Sequence, residues 1–362
     1  MPTSTPPPER DPRRILVVRL GAVGDIVRTL PAVRRIRRRW PGARIAWAVE
    51  RGPHALIEGH PDLDRLIVLD RRALAAAARR LSPAALTVVR AFRGALRDFA
   101  PDVALDFQAS FKSGLVAWLS GAPSRWGFAA PHAREGSHLF ANRRVPLPEP
   151  RIHRVERALA LAAAAGAANG PVEADLALRE DERAAGAVHV RELAGARPAV
   201  AVAPLTSRRQ AWKRYPLERW AEVCRGLAAA GCRPLAVGGP GEEPEIDALV
   251  RASGGAARPL GAIGLRELAA ALAACKLLVA GDTGPMHLAW AVGTPVVAVY
   301  GPTDPVLNAP WGDGHVVLAP PRRTARHEAD RFPGITPERI VEAACERLGL
   351  AVPRDGNARR RS

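Results

Sequence analysis

Lysine is the residue type that this sequence most clearly lacks. Of its 53 basic residues only Lys112, Lys213 and Lys276 are lysines, so a lysine marks a place where a compact ammonium group is favoured over a planar guanidinium. Cysteine is also scarce, and the four cysteines form no CxxC pair and have no histidine at zinc-ligand spacing. The sequence therefore predicts neither a disulfide framework nor a structural zinc, and a reducing cytoplasm fits the chain.

Long apolar runs are missing as well. The most apolar stretch, residues 158–168, is far shorter than the roughly 20 residues that cross a bilayer, so we expect no membrane span. Residues 1–12 are rich in proline and charge and lack the apolar core of a secretory signal, which predicts a disordered leader. Residues 351–362 read as a basic tail.

Aromatic residues make up only 5% of the chain, although the net charge is +17. A positive charge of this size favours an anionic partner, but no recognised RNA- or DNA-binding motif accompanies it. We therefore expect an acidic sugar or a lipid headgroup as the partner and no nucleic acid, with a charge-driven RNA-binding module as the weaker alternative.

The order of apolar runs and glycine turns predicts two α/β domains, for which 362 residues suffice. The first series opens with a strand at residues 14–18, a glycine turn and a helix at 26–40, which is the opening of a Rossmann-like unit. A long helical region is predicted further along, at residues 73–99. We place the N-terminal domain at residues 13–175 and the C-terminal domain at 176–350, with a last helix at 336–348.

The most specific stretch of the sequence joins a strand to a helix start. Thr283 is expected to cap the helix, Pro285 suits its first turn, and Gly284 lets a ligand approach backbone N–H groups. These groups and the helix dipole favour an anion, which His287 could also reach. In the alternative interpretation Asp282 is only a cap and His287 a helix-start histidine whose hydrogen bonds are satisfied.

Three motifs in the same order resemble the ADP-heptose lipopolysaccharide heptosyltransferases of glycosyltransferase family 9. The resemblance covers most of the chain, and partial matches at Asp106-Phe107-Gln108 and at residues 153–157 favour the branch that adds the first heptose. The motifs are Gly24-Asp25-Ile26 with Thr29-Leu30-Pro31-Ala32, then Pro204-Leu205-Thr206-Ser207 with Trp212-Lys213-Arg214, then Asp282-Thr283-Gly284 through His287 to Tyr300-Gly301-Pro302.

This resemblance implies a GT-B fold, in which two Rossmann-like parallel-sheet domains face each other across a cleft. It also implies an inverting transfer without metal or other cofactor, from an ADP-sugar donor to an acidic lipid-linked saccharide of the Kdo-lipid A type. Such an enzyme would work in the cytoplasm, at the cytoplasmic face of the inner membrane, where its basic surface could hold it as a peripheral protein.

The resemblance makes Asp25 the catalytic base, whereas the alternative makes it only a helix cap. On the donor side, Thr206, Ser207 and Lys213 would neutralise the departing diphosphate, together with Asp282, Thr283, Gly284 and His287. Glu242 follows a glycine-rich turn, where a carboxylate can accept from ribose hydroxyls. The candidates for binding an acidic acceptor are Arg71, Arg72, Lys112 and Arg134.

Two other patterns carry less information. Asp62-Leu63-Asp64 has the DxD form of metal-dependent glycosyltransferases, but no donor-site features surround it. The first glycine turn lacks the G-x-G-x-x-G spacing of nicotinamide-binding domains. The rival functions that remain are a sugar-nucleotide epimerase, a glycosyltransferase with another donor, and a nucleotide-binding protein without catalysis.

Overall fold

The computed structural model describes residues 11–79 and 84–353. Contacts divide the chain into two compact units, Met1–Ala177 and Leu178–Ser362, close to the boundary that the sequence placed after residue 175. Most of the predicted leader and of the basic tail lies outside the described residues. Within the described ranges, no helix combines the length and the apolar character that crossing a membrane requires.

The first unit contains one sheet of six parallel strands in the order β3-β2-β1-β4-β5-β6. Ile15 of the central strand pairs with Ile45 on one side and Val103 on the other, and residues 15–18 are fully buried because helices cover both faces. The strands are β1 (Arg14–Val18), β2 (Arg44–Glu50), β3 (Arg65–Leu69), β4 (Val103–Asp106), β5 (Ser124–Phe128) and β6 (Arg143–Val145). The helices are α1 (Val23–Arg39), α2 (Arg71–Arg79), α3 (Ala84–Phe99), α4 (Phe111–Leu119) and α5 (Arg154–Ala164).

The second unit repeats this topology, with the strand order β12-β11-β10-β7-β8-β9. All pairings are again parallel, and the apolar run of β7 is buried along its whole length. The strands are β7 (Ala199–Ala203), β8 (Arg233–Ala236), β9 (Arg258–Pro259), β10 (Leu277–Gly281), β11 (Val296–Val299) and β12 (Val316–Leu318). The helices are α6 (Glu180–Ala194), α7 (Leu217–Ala229), α8 (Glu243–Ala252), α9 (Leu265–Ala274), α10 (Gly284–Ala291), α11 (Pro305–Asn308) and α12 (Pro337–Leu348).

The two sheets confirm the predicted α/β class with two Rossmann-like parallel sheets. In each sheet the chain order reverses in the middle, where β1 lies beside β4 and β7 lies beside β10. Ligands of open α/β sheets bind beyond the carboxyl ends of the strands at such a switch point. The topology therefore directs attention to the loops that follow these four strands.

Two predicted helices of the first unit differ from the observed ones. The helix predicted at residues 26–40 is α1 and begins at Val23, so Asp25 lies in its first turn instead of on a preceding turn. The helix begins before Gly24, because the extended backbone of Ala22 forms its N-cap. The acidic Asp25 in the first turn interacts favourably with the helix dipole. The single helical region predicted at residues 73–99 consists of α2 and α3.

The close packing of α6 on α9 gives a stability prediction. A Cβ atom on Gly186 would lie 2.5 Å from the backbone carbon of Ala270, so Gly186→Ala is expected to destabilise the second unit by about 1–3 kcal/mol. Gly94 on α3 has open space around it, so Gly94→Ala is expected to stabilise its helix by about 0.5–1 kcal/mol. Thermal unfolding of both variants checks this, and equal melting temperatures would contradict it.

Candidate functional site

The side chain of Asp25 lies between two arginines. One carboxylate oxygen is 2.5 Å from Nη2 of Arg19, and the other accepts from Nη2 of Arg28 at 2.5 Å. Arg19 follows β1, and its Nη1 also donates to the carbonyl of Phe107, which follows β4, at 2.7 Å. The three side chains therefore sit at the switch point of the first sheet, where the topology predicts a ligand site.

These ion pairs set the charge of Asp25. Burial by itself raises the pKa of the carboxyl group, but the neighbouring Arg19, Arg28 and Arg154 outweigh it and hold the pKa of Asp25 well below its ordinary value. Asp25 is therefore ionised at neutral pH. It is not the N-cap of α1, a position that Ala22 occupies, so the alternative interpretation as a helix cap is wrong.

Asp106 organises the neighbouring loop from the end of β4. Its carboxylate accepts from the backbone N–H groups of Gln108 and Ala109 at 3.0 Å and from the hydroxyl of Ser113 at 3.0 Å. Burial raises the pKa of Asp106. The first turn of α4, including the exposed Lys112, is thereby fixed to the carboxyl end of β4.

The predicted acceptor residues follow the carboxyl ends of three strands of one parallel sheet. Arg71 and Arg72 begin α2 after β3, Lys112 follows β4, and Arg134 follows β5. All four are exposed, and Arg71 forms an ion pair with Glu50 at 3.4 Å. The fold thus places them on the edge of the sheet that also carries Asp25, and their role as acceptor ligands stays a prediction.

In the second unit, Lys213 and Asp282 form an ion pair across the switch point. Nζ of Lys213 is 3.4 Å from Oδ2 of Asp282, and the two side chains are only 9% and 12% exposed. Lys213 belongs to the loop after β7, and Asp282 directly follows β10. Two residues predicted from separate motifs are therefore in contact because their strands are neighbours in the sheet.

The loop after β7 is held together by its own side chains. The hydroxyl of the buried Thr206 donates to the carbonyl of Gln210 at 3.0 Å, and the exposed Ser207 lies 3.5 Å from the side-chain oxygen of Gln210. Arg214 donates to the backbone carbonyl of Thr206. These contacts fix the backbone from which Lys213 projects.

The start of α10 differs from the prediction in one respect. Thr283 occupies the N-cap position, but its side chain makes no capping hydrogen bond, so the predicted cap is wrong. Its backbone is extended, which starts the helix without help from the hydroxyl. Gly284 and Pro285 are in the first turn as predicted, and His287 is 3% exposed. The anion site at this helix start stays a prediction.

A cavity lies beyond the carboxyl ends of β8 and β9. It is lined by Glu243 and Asp247 of α8 and by glycines 238, 239 and 261. The carboxylate of Glu242 accepts from the N–H of Gly239 at 2.8 Å and so closes its own turn. Asp247 was not singled out in the sequence, although its position four residues after Glu243 places both on one face of α8.

The sequence also did not single out Arg19, Arg28, Arg154 and Arg157. Arg154 and Arg157 lie in a segment that matched the family only partially, and Arg19 directly follows the buried run of β1. The available signals were the position of Arg28 one helical turn after Asp25 and the partial family match at residues 153–157.

The aspartates of the DxD-like pattern have structural partners. Asp62 pairs with Arg34 at 3.1 Å and Asp64 with Arg37, which ties the loop before β3 to α1. Among the residues that the structure describes, no three His, Cys, Asp or Glu side chains are grouped so that they could hold a metal ion. Independence from metal stays a prediction.

Comparison with known proteins agrees with this geometry. The model of glycosyltransferase family 9 (heptosyltransferase) matches residues 89–333. Lipopolysaccharide heptosyltransferase 1 of Escherichia coli is 31% identical over 85% of this chain and 94% of its own length, and that of Pseudomonas aeruginosa is 29% identical over 84% and 83%. The Escherichia coli heptosyltransferase solved with ADP superposes with a TM-score of 0.75 at 27% identity, covering 92% of this chain and 99% of that one. The chain belongs to glycosyltransferase family 9, the heptosyltransferases, as its motifs predicted.

Proposed function

We propose that the protein is the heptosyltransferase that adds the first heptose to the lipopolysaccharide inner core. Its donor would be ADP-heptose and its acceptor an acidic lipid-linked saccharide of the Kdo-lipid A type. Two relatives named lipopolysaccharide heptosyltransferase 1, which match most of the chain, support heptose transfer to lipopolysaccharide, and the related Escherichia coli heptosyltransferase solved with ADP supports an ADP-linked donor. The observation that carries the proposal is the carboxylate of Asp25, which pairs with Arg19 and Arg28 at the switch point of the first sheet.

Asp25 would act as the catalytic base of an inverting displacement. Its carboxylate takes the proton of the acceptor hydroxyl while that oxygen forms the new bond to the anomeric carbon. The bond from the anomeric carbon to the diphosphate breaks on the opposite face, and ADP leaves with the electron pair. Because Asp25 lies in the first turn of α1, its carboxylate is held at the edge of the sheet.

The second unit would hold the donor. Lys213, whose ammonium group is already oriented by Asp282, meets the negative charge that develops on the leaving diphosphate. Thr206, Ser207, Thr283, Gly284 and His287 would surround the phosphates, and Glu242 the ribose. These cations and donors do the work for which other glycosyltransferases use a metal ion.

The acceptor would be drawn to the first unit by its charge. Arg71, Arg72, Lys112 and Arg134 are exposed on the edge of the sheet that carries Asp25, and guanidinium groups bind carboxylates and phosphates well. The net charge of +17 would hold the protein at the anionic cytoplasmic face of the inner membrane.

Product analysis tests the proposed reaction. Incubation with ADP-heptose and Kdo-lipid A is expected to add one heptose to the lipid and to release an equal amount of ADP, as measured by mass spectrometry. Isomerised nucleotide sugar with unchanged lipid would instead indicate an epimerase. In a parallel thermal-shift screen we expect ADP to raise the melting temperature, because it binds the folded state, and a response to UDP or NAD alone would contradict the donor assignment.

A further inference from the structure

Four arginines crowd around Asp25. Arg19, Arg28, Arg154 and Arg157 line one small cavity together with the carboxylate. Arg19 and Arg28 are only 6% and 7% exposed, so at least two of the guanidinium groups are almost removed from water. Arg154 and Arg157 come from the first turn of α5, which brings them to the residues that follow β1.

The charged side chains that line this cavity are four guanidinium groups and one carboxylate, that of Asp25. Burial lowers the pKa of Arg19 and Arg154, which the charge of Asp25 partly offsets, and the nearby carboxylate of Asp106 is occupied by the loop after β4. Burial and the neighbouring Arg154, Arg19 and Arg134 lower the pKa of Arg157 to about 10. Buried like charges repel each other, so the folded chain holds this cluster at a cost in free energy.

Structural contacts account for only part of the cluster. The guanidinium of Arg157 lies 4.3 Å above the ring of Phe128 and donates to the carbonyl of His132 at 3.2 Å. The buried Nε atoms of Arg19 and Arg157, however, have no hydrogen-bond partner. A buried donor without a partner in a cluster of excess positive charge indicates a ligand that accepts hydrogen bonds and carries negative charge.

We propose that Arg19, Arg28, Arg154 and Arg157 form an oxyanion subsite that binds a carboxylate or phosphate group of the acceptor beside Asp25. This inference rests on the proposed function, because it takes the ligand to be the acceptor of the transfer. Planar guanidinium groups suit both oxyanions, since each offers two parallel N–H groups.

The subsite also explains how Asp25 becomes a base. A carboxylate held by two guanidinium groups accepts a proton poorly, because protonation breaks both ion pairs. An oxyanion bound between Arg19, Arg28 and Arg154 competes for the same N–H groups and so restores the basicity of Asp25. Acceptor binding and activation of the base are then one event, and Asp25 does not activate a water molecule to attack the donor while the subsite is empty.

Steady-state kinetics of the full chain tests the subsite. Arg154→Gln and Arg157→Gln are each expected to raise the KM for the acceptor at least tenfold, with the KM for ADP-heptose and the thermal shift by ADP unchanged. Inorganic phosphate should inhibit the wild type competitively with the acceptor, and this inhibition should weaken in both variants. Arg93→Gln on the exposed face of α3 is the matched control and should behave as wild type.

Acceptor analogues separate the two sources of the oxyanion. If the group is a sugar carboxylate, reducing it to the alcohol removes the difference in acceptor KM between wild type and variants. Removing the lipid phosphates then leaves this difference in acceptor KM unchanged. The reverse pattern identifies a phosphate. If the wild type transfers heptose and both arginine variants have the same acceptor KM as the wild type, the subsite alone is overturned. If the wild type binds phosphate but transfers no heptose, the proposed function is overturned.

The pH profile tests the role of the arginines as positioning residues for Asp25. The charged groups that face its carboxylate are Arg19, Arg28 and Arg154. In Arg28→Gln the pKa of Asp25 should rise, so the acidic limb of the pH profile, where kcat/KM falls, should move to higher pH. A purely structural role of Arg28 would leave this acidic limb in place. An acidic limb at the wild-type position overturns the coupling.

Discussion

Asp25→Asn is expected to lower kcat by a factor of about 10²–10⁴, the contribution typical of a positioned general base. The amide has nearly the shape of the carboxylate and can still accept from Arg28, but it cannot take a proton from the acceptor hydroxyl. ADP should continue to raise the melting temperature of the variant, because the proposed donor residues all belong to the second unit. Rapid-quench or steady-state assays of ADP release measure the loss.

The control for this variant must account for the lost ion pairs. Removing one partner of a buried ion pair costs about 3–5 kcal/mol of stability, so a fall in activity could follow from unfolding. Asp62→Asn breaks a comparable pair with Arg34 in the same unit, where the Asp62 side chain is 8% exposed. We expect Asp62→Asn to lower the melting temperature without lowering kcat. Equal losses of kcat in the two variants would contradict the catalytic role of Asp25.

Lys213→Gln is expected to lower kcat by a factor of about 10²–10³, as removal of one preorganised donor to a developing negative charge does in other enzymes. The glutamine side chain is polar and one atom shorter than that of lysine, but it carries no charge. Because the charge on the diphosphate grows as the bond to the sugar breaks, kcat should fall more than the affinity for ADP-heptose. Isothermal titration with ADP, alongside kinetics, separates the two effects.

The ion pair with Asp282 complicates this substitution, since Lys213→Gln leaves a buried carboxylate without its cation. The variant Lys213→Gln with Asp282→Asn removes both charges and should recover stability but not turnover. Lys276 is exposed beside β10, so Lys276→Gln serves as the matched lysine control with wild-type kcat. Recovery of turnover in the double variant would mean that Lys213 acts only by neutralising Asp282.

The strands of both units follow from local sequence. The apolar runs that became β1, β4, β7 and β10 are short, rich in branched residues and flanked by turns, so both faces had to be covered by helices. The start of α1 does not follow from local sequence, because Gly24 is compatible with a turn or with a first helical turn. Only hydrogen bonding to Ala22 decided that Asp25 belongs to α1.

The site residues that belong to a sequence motif could be predicted, whereas the arginines around Asp25 could not. Asp25, Lys213 and Asp282 stand in distinctive local patterns, and Lys213 is one of three lysines. Arg19, Arg28 and Arg154 are ordinary members of an arginine-rich chain. Arg28 stands one helical turn after Asp25 and Arg154 lies in a partially matching segment, but neither position distinguishes a buried guanidinium from one in solvent.

The sequence by itself determined the class of the fold, the repeat of one α/β topology and the residues that carry its motifs, because these depend on short-range patterns of apolar, glycine and acidic residues. Tertiary structure alone decided which charges meet. Lys213 contacts Asp282, and Arg19 bridges Asp25 to Phe107, because right-handed crossovers place the first and fourth strands of each sheet side by side. Residues far apart in the chain are thus brought within a few ångströms, where burial makes their electrostatic interaction strong.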